Sequence, residues 1–335
     1  MRKQLIKIII TGGAGFIGGT LIRRLLKDKK YIIYNFDKLG YASDLSWIEK
    51  KEYDRSTYNF YKIDLCDKEI LEKALKEIKP DLIIHLAAES HVDRSIDNPS
   101  NFVKSNILGT FNLLEATRSY WEGINDPKKS LFKLVHVSTD EVYGSLGLIG
   151  KFNENSKYSP RSPYSASKAS SDHLVKSWYH TYGLPIIISN CSNNFGPYQF
   201  PEKLIPLSIL KAIKGEKIPL YGDGLNIRDW LYVEDHVEAI DLILHKGKIG
   251  ETYLIGGDNE KRNIDLVFKL IKMTDSVLGR SEGFSKKLIH FIPDRPGHDY
   301  RYAIDDSKIK EELGWKPKTP FKLGLDKTIR YYLDL

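Results

Sequence analysis

The chain has 335 residues, of which 41% are hydrophobic and 28% charged, with a net charge of +7. This is an ordinary globular composition, long enough for two domains or one large domain with an appended lobe. Its lysines are scattered among acids in short clusters (Lys27/Lys29/Lys30, Lys50/Lys51, Lys286/Lys287), with no basic block interleaved with aromatics; that argues against nucleic acid and for a surface that mildly steers an anionic small molecule.

Two cysteines, Cys66 and Cys191, stand far apart in no metal or redox spacing, as expected in a reducing compartment without a disulfide framework. Residues 1–4 are basic and precede an apolar run, superficially like a signal peptide. The run over 5–10 is too short, however, carries Lys7 and leads straight into a glycine turn. No stretch approaches the ~20 apolar residues of a membrane helix. A cytoplasmic protein is expected.

Residues 5–10 (Leu-Ile-Lys-Ile-Ile-Ile) read as a buried strand. Thr11-Gly12-Gly13-Ala14-Gly15-Phe16-Ile17-Gly18 follows, then a helix pattern through Leu21, Ile22, Leu25 and Leu26. Strand, glycine turn and helix together are the context of a dinucleotide-binding motif. Gly12 permits the tight turn, Gly15 the approach of backbone to a pyrophosphate and Gly18 close packing of helix on strand, while the helix N-terminus faces the phosphates. A second strand over 31–36 ends at Asp37, nineteen residues after Gly18. An acid there accepts hydrogen bonds from a ribose and repels a 2′-phosphate, which favours NAD over NADP; neighbouring Lys38 weakens that preference.

A third strand (59–63), a helix (68–78) and a fourth strand (81–86) follow, the last running into Ala87-Ala88-Glu89-Ser90-His91. Small alanines at a strand end let a flat cofactor lie against backbone. A long helix is expected over 102–120, then a fifth strand through Leu134-Val135-His136-Val137. At its exit stand Thr139, Asp140 and Glu141. Strands alternating with helices make an α/β, doubly wound parallel sheet of Rossmann type, with chemistry at the carboxyl ends of its strands. Two adjacent carboxyls there can divide acid and base work if their surroundings push their pKa values apart; an ordinary turn or N-cap cluster is the plainer alternative.

A polar loop over 151–159 is expected above the active site. Ser162 and Pro163 are the N-cap and first residue of a helix that carries Tyr164 and Lys168, four apart and so on one face. An ammonium near a phenol lowers its pKa from ~10 and makes it a usable base. A sixth strand (184–189) leads to 190–199, read as a loop from its amide, Gly and Pro content. Beyond 201 the alternation of strand and helix breaks down. Gly222-Asp223-Gly224 marks a turn, and Arg228 precedes a strand–helix pair over 230–244. Arg228 can fork onto diphosphate oxygens or pair with Asp229 or Asp235. Residues 293–299 form a second loop of phosphate- and sugar-binding side chains, and 307–333 read as two helices separated by Trp315 and Pro317. His173 and His180 lie seven apart on one helix with no acid or cysteine at ligand spacing, so no metal site is expected.

These motifs resemble the extended short-chain dehydrogenase/reductase family, and within it the dTDP-glucose 4,6-dehydratases, essentially end to end. The markers are Thr-Gly-Gly-Ala-Gly-Phe-Ile-Gly (11–18), Leu-Ala-Ala-Glu-Ser-His-Val-Asp (86–93), Ser-Thr-Asp-Glu-Val-Tyr-Gly (138–144), Tyr-Ser-Ala-Ser-Lys (164–168), the stretches 197–207 and 228–236, and Asp-Arg-Pro-Gly-His-Asp (294–299). The triplet Thr-Asp-Glu and the Asp-Arg-Pro-Gly-His loop are the more specific of these. The resemblance implies an NAD-dependent hydro-lyase of deoxysugar biosynthesis that converts dTDP-glucose to its 4-keto-6-deoxy form. Tyr164, aided by Lys168 and Thr139, takes the proton of the carbon-4 hydroxyl as hydride passes to NAD. Glu141 is the base at carbon 5, Asp140 protonates the departing carbon-6 hydroxyl, and hydride returns to carbon 6.

The same resemblance implies that Gly12, Gly15, Phe16, Ile17, Gly18, Asp37, Lys38, Asp64, Leu65, Ala87, Ala88, Ser105, Tyr164, Lys168 and Asn194 hold the cofactor. The nucleotide sugar falls to Ser90, Thr139, Asn193, Glu202, Lys203, Leu204, Pro219, Tyr221, Arg228, Asn263, Arg295 and His298. A homodimer through helices at 102–120 and 164–182 is implied, with no membrane or nucleic-acid partner. The domain division expected is an NAD-binding domain of 1–189 plus about 226–256 and a nucleotide-sugar domain of about 190–225 plus 257–335. The segments 40–44 and 146–150 depart from the family pattern. The alternatives are a UDP- or CDP-sugar 4,6-dehydratase, a 4-epimerase or a decarboxylase of the same family. Asp140 speaks against the last two, and the intact Tyr164, Lys168 and acids speak against a catalytically silent NAD-binding regulator. Because neighbours on an extended strand point to opposite faces, the acid pair requires the chain to leave strand geometry at Thr139.

Overall fold

The computed structural model describes residues 5–46 and 56–334; the leader-like residues 1–4 and the Lys50/Lys51 cluster lie outside the described residues. The first half alternates as expected: β1 (Ile6–Thr11), α1 (Phe16–Lys27), β2 (Tyr31–Asp37), β3 (Tyr58–Lys62), α2 (Lys68–Ile78) and β4 (Leu82–His85). Short helices α3 (Val92–Asp97) and α4 (Pro99–Phe102) then lead through a π-helical turn, Val103–Leu108, into α5 (Gly109–Glu122). The helix expected over 102–120 is therefore interrupted. The widened turn presents Ser105 and Asn106 to the exits of β2 and β4: the Ser105 hydroxyl accepts from Lys38 Nζ at 2.7 Å, and Asn106 exchanges two hydrogen bonds with the Glu89 backbone. Such turns recur at functional sites.

After α6 (Lys128–Leu131), β5 (Lys133–Thr139) ends in a 3₁₀ turn, Asp140–Tyr143; α7 (Pro163–Tyr182) and β6 (Ile186–Cys191) follow. Ser162 caps α7 reciprocally with Ser165, and Pro163 opens the helix. Residues 193–199 are not all loop. Asn193–Phe195 forms a strand, β7, because it finds a parallel partner, Trp230 to Tyr232, far along the chain. The remaining elements are α8 (Leu204–Lys214), β8 (Ile218–Tyr221), β9 (Ile227–Tyr232), α9 (Val233–Lys246), β10 (Thr252–Ile255), β11 (Glu260–Arg262), α10 (Asn263–Val277), β12 (Ile289–Ile292), α11 (Ser307–Leu313) and α12 (Phe321–Leu333).

Seven parallel strands in the order β10-β6-β5-β4-β1-β2-β3 make the main sheet. Ile8, Ile9 and Ile10 of β1 are wholly buried, each contributing ~1.5–3 kcal/mol of hydrophobic burial. One face is covered by α1, α9 and α11, the other by α2, α5 and α7, which is the doubly wound architecture. Smaller sheets, β11-β9-β7 and β12-β8, pack with α8, α10 and α12 beside the carboxyl edge. Strand order reverses about β1, which lies between β2 and β4. Ligands of such sheets bind at that switch point, outside the carboxyl ends of the strands.

Candidate active site

A cavity of about 320 Å³ opens along that edge. It is lined by the glycine turn after β1, the Asp37 end of β2, Ala87 and Ala88 after β4, Thr139 and Glu141 after β5, Tyr164 and Lys168 of α7, and Asn193 and Asn194 beyond β6. Backbone proximity dictates two of the glycines. Gly12 sits at φ +73°, and a Cβ there would meet the Ala87 amide nitrogen at 2.6 Å; a Cβ on Gly18 would stand 2.3 Å from the Gly12 carbonyl oxygen. The turn, α1 and the exit of β4 are thus closed on one another with no room for side chains, leaving the amides at the start of α1 open to an anion.

Asp37 is held rigidly: Oδ2 accepts from the Ala14 amide (3.0 Å), and Oδ1 from the Leu39 amide (2.8 Å) and the Ser43 hydroxyl (2.9 Å). That leaves about one of the ~four acceptor positions of a carboxylate for a ribose. The Lys38 ammonium is already paired, 2.8 Å from Glu89 Oε1 and 2.7 Å from the Ser105 hydroxyl. All fifteen residues expected at the cofactor, Gly12 through Asn194, line this one cavity, Phe16, Ile17, Asp64, Leu65 and Ser105 among them.

The acid pair sits where the strand breaks. Thr139 is still extended (φ −138°, ψ 154°), and its hydroxyl accepts from the Glu141 amide, starting the 3₁₀ turn at Asp140. Asn190 of β6 holds the Thr139 carbonyl from the other side at 3.0 Å. The turn separates the two carboxyls. Glu141 faces the cavity, whereas Asp140 is 1% exposed and its Oδ2 has no partner. Burial, then the Glu141 charge, pushes the Asp140 carboxyl well above the ordinary range. Burial also raises Glu141, but the Arg295, Lys203 and Arg228 cations oppose it. The environments therefore differ in the sense that acid–base division of labour requires.

Tyr164 and Lys168 are buried on one face of α7 and both line the cavity. The charge logic at Tyr164 differs from the expectation of a lowered phenol. Burial first, then Glu141, raises it well above 10, with the Thr139 hydroxyl opposing. Lys168 donates instead to the Val137 carbonyl at 3.0 Å.

Of the residues expected at the sugar, Ser90, Thr139, Asn193, Glu202 and Lys203 line the cavity; Leu204, Pro219, Tyr221, Arg228, Asn263, Arg295 and His298 do not. Leu204 and Asn263 begin α8 and α10, and Pro219 lies in β8. Tyr221 and Arg295 converge on Asp93, by a hydroxyl at 3.0 Å and a guanidinium at 3.4 Å, with His298 packed edge-on to Tyr221. Arg295 Nε and Asn263 Oδ1 are buried without partners. Arg228 makes no ion pair with Asp229 or Asp235. It donates to the carbonyls of Ile227, Asp299 and Tyr300 and stacks on Tyr302, while Asp229 caps the Gly257 and Asn259 amides and Asp235 binds Thr319. The loop 151–159 does not cover the cavity. Its Phe152 stacks on Tyr143 behind the 3₁₀ turn and pairs with Ala303.

Sequence reasoning missed Tyr41. It stacks under the Arg94 guanidinium (3.7 Å), donates to Glu202 (2.9 Å) and meets Phe200 edge-on, so the segment after β2 is clasped to the segment before α8 across the cavity. A lone aromatic in a turn carries no periodic signal, and only its departure from the family pattern marked the segment.

A protein-family model described as GDP-mannose 4,6 dehydratase matches residues 9–328. A dTDP-glucose 4,6-dehydratase of Salmonella typhimurium is 50% identical over 98% of this chain and 92% of its own length. The crystal structure of a Bacillus anthracis dTDP-glucose 4,6-dehydratase in complex with NAD superposes with a TM-score of 0.85 at 45% identity, covering 98% of this chain and 97% of that one. A Streptomyces venezuelae dTDP-glucose 4,6-dehydratase with NAD and a dTDP ligand bound has a TM-score of 0.88 at 39% identity, with the same coverage.

Proposed function

The chain belongs to the GDP-mannose 4,6 dehydratase family, and from that premise we propose that its reaction is the 4,6-dehydration of dTDP-glucose. It is an NAD-dependent hydro-lyase that converts dTDP-glucose to dTDP-4-keto-6-deoxyglucose and water. The observation that carries this reading is the split acid pair on the 3₁₀ turn, one carboxyl buried with one oxygen unpartnered and the other open to the cavity that holds Tyr164 and Lys168.

The glycine cradle, Asp37 and the Ala87–Ala88 exit fit NAD, with Lys38 neutralised by Glu89. Bound NAD supplies a hydride acceptor, later the donor, and a positive ring charge. In our reading Tyr164, beside the Thr139 hydroxyl and Lys168, takes the proton of the carbon-4 hydroxyl. The resulting ketone acidifies carbon 5, from which Glu141 removes the proton, while Asp140, kept neutral by its surroundings, gives its proton to the leaving hydroxyl of carbon 6. The orphaned Arg295 Nε donor, with Arg228, Tyr221 and His298, is suited to the diphosphate of a nucleotide sugar, and the orphaned Asn263 Oδ1 acceptor to a donor group of its nucleoside. Residues 1–189 with about 226–256 would serve the cofactor, and about 190–225 with 257–335 the nucleotide sugar, α11 docking back on the first. Exposed Val103, Leu108, Phe111 and Tyr182 on the 99–122 and α7 helices support a homodimer. Among the described residues no helix is long and apolar enough to cross a membrane; a cytoplasmic location belongs to the same proposal.

Rates with dTDP-, UDP- and CDP-glucose test the nucleotide assignment. dTDP-glucose is expected to be turned over fastest; faster dehydration of either other sugar overturns it. The Tyr41 clasp bears on NAD retention. Tyr41→Ala removes the Arg94 stack and the Glu202 hydrogen bond, together worth about 1–3 kcal/mol, so NAD release is expected to accelerate about 5–100-fold. NAD content after gel filtration checks this; retention equal to wild type refutes it.

A further inference from the structure

Behind Lys168 lies a buried polar cluster that the reaction as described does not use. Tyr164, Lys168 and Asp172 recur every four residues on α7, one face of the helix. Asp172 is wholly buried. Its carboxylate accepts from His136 Nε2 of β5 at 3.0 Å, from the Tyr158 hydroxyl at 3.0 Å and from Asn190 Nδ2 of β6 at 3.1 Å. The same Asn190 amide donates to the Thr139 carbonyl, where the catalytic turn begins.

The geometry points to Asp172 as a positioning residue for the reaction: it is the buried counter-charge of Lys168 and, through Asn190, the anchor of the Thr139 carbonyl. A wholly buried carboxylate is costly unless a cation answers it, and a neutral amide could make several of the same hydrogen bonds. His136 does not supply that cation. Burial and the Lys168 charge hold it down against the pull of Asp172, and its Nδ1 is unpartnered, as in a neutral ring donating through Nε2. Burial lowers Lys168, and Asp172 heads the groups that oppose it.

The other titratable groups around the pair are accounted for. His85 of β4 faces Lys168 and is held neutral by burial. Cys191 of β6 also faces it and is pushed up to about 12, so it remains a thiol. Tyr164 stands one turn earlier on α7, and Tyr143 and Tyr158 face Asp172 with their phenols raised by burial. None of these groups brings a second positive charge to answer Asp172 in place of Lys168.

The inference rests on the dehydratase reading only for its kinetic arm. Asp172→Asn keeps the shape and removes the charge. Expected are a fall in kcat of about tenfold at neutral pH, KM for dTDP-glucose within about twofold, and an alkaline limb of the single-turnover rate of carbon-4 oxidation, a step that does not use Asp140, displaced to lower pH by about one unit, because Lys168 loses its proton sooner. His136→Asn perturbs the same cluster without removing the charge and is expected to leave that limb in place. An unmoved limb in Asp172→Asn, or an equal displacement in His136→Asn, overturns the proposal. Thermal unfolding supplies an arm independent of activity. Lys168→Met strands a buried carboxylate, so Lys168→Met/Asp172→Asn is expected to melt at a higher temperature than Lys168→Met alone. A lower melting temperature for the double variant leaves Asp172 merely structural.

Discussion

Glu141→Gln is expected to lower kcat for dehydration by about 10²–10⁴-fold, the usual worth of a positioned general base, and to abolish exchange of the carbon-5 hydrogen with solvent. The carboxylate faces the cavity and has three cations near it, Arg295, Lys203 and Arg228, that keep it ionisable despite burial. Asp140→Asn is expected to differ in kind: with the proposed proton donor removed and the proposed base kept, carbon-5 exchange should persist while release of water falls by a similar factor. Incubation in deuterated water with mass spectrometry separates the two. Deuterium incorporation by Glu141→Gln would assign the base elsewhere.

The pair also carries a pH signature. Activity is expected to rise as pH climbs through the raised Glu141 value and to fall once the Asp140 carboxyl, also raised, loses its proton. For stability the sign is opposite to that of a salt-bridged acid. A carboxyl raised on folding contributes stability below its unfolded pKa of ~3.9, and that contribution is lost as pH rises through the folded value. Asp140→Asn is therefore expected to raise Tm at neutral pH while disabling elimination.

Tyr164→Phe is the second large effect. Removing the hydroxyl deprives the carbon-4 proton of its acceptor and is expected to cost about 10²–10⁴-fold in kcat. In a single turnover no transient reduced-nicotinamide absorbance should develop. The phenol is buried against Glu141 and raised well above 10, so it needs Thr139, Lys168 and the positive charge of bound NAD to become a base. Lys168→Met should show the same missing transient. Oxidation by Tyr164→Phe at a rate within about tenfold of wild type would remove it from the base role.

The parts legible in the sequence are those whose cause is local. The glycine turn, α2 with its bounds 68–78, the Ser162–Pro163 start of α7, and the break after Thr139 each follow from backbone sterics, capping or side-chain alternation. What escaped depends on partners distant in the chain. β7 is a strand only because β9 pairs with it, the 103–108 turn is widened where Asn106 grips Glu89, and Arg228 is spent on the carbonyls of Ile227, Asp299 and Tyr300 rather than on Asp229. Charge was the least legible. The four-residue spacing of Tyr164 and Lys168 suggested a lowered phenol, but burial and a carboxylate from another element dominate it.

The most direct test of the dehydratase account is incubation of the purified protein, without added NAD, with dTDP-glucose in deuterated water, the product being read by mass spectrometry and proton NMR. The account predicts a 4-keto-6-deoxy sugar carrying one deuterium at carbon 5, which requires retained NAD, elimination and Glu141-mediated exchange together. Formation of dTDP-galactose alone would contradict it and leave an epimerase.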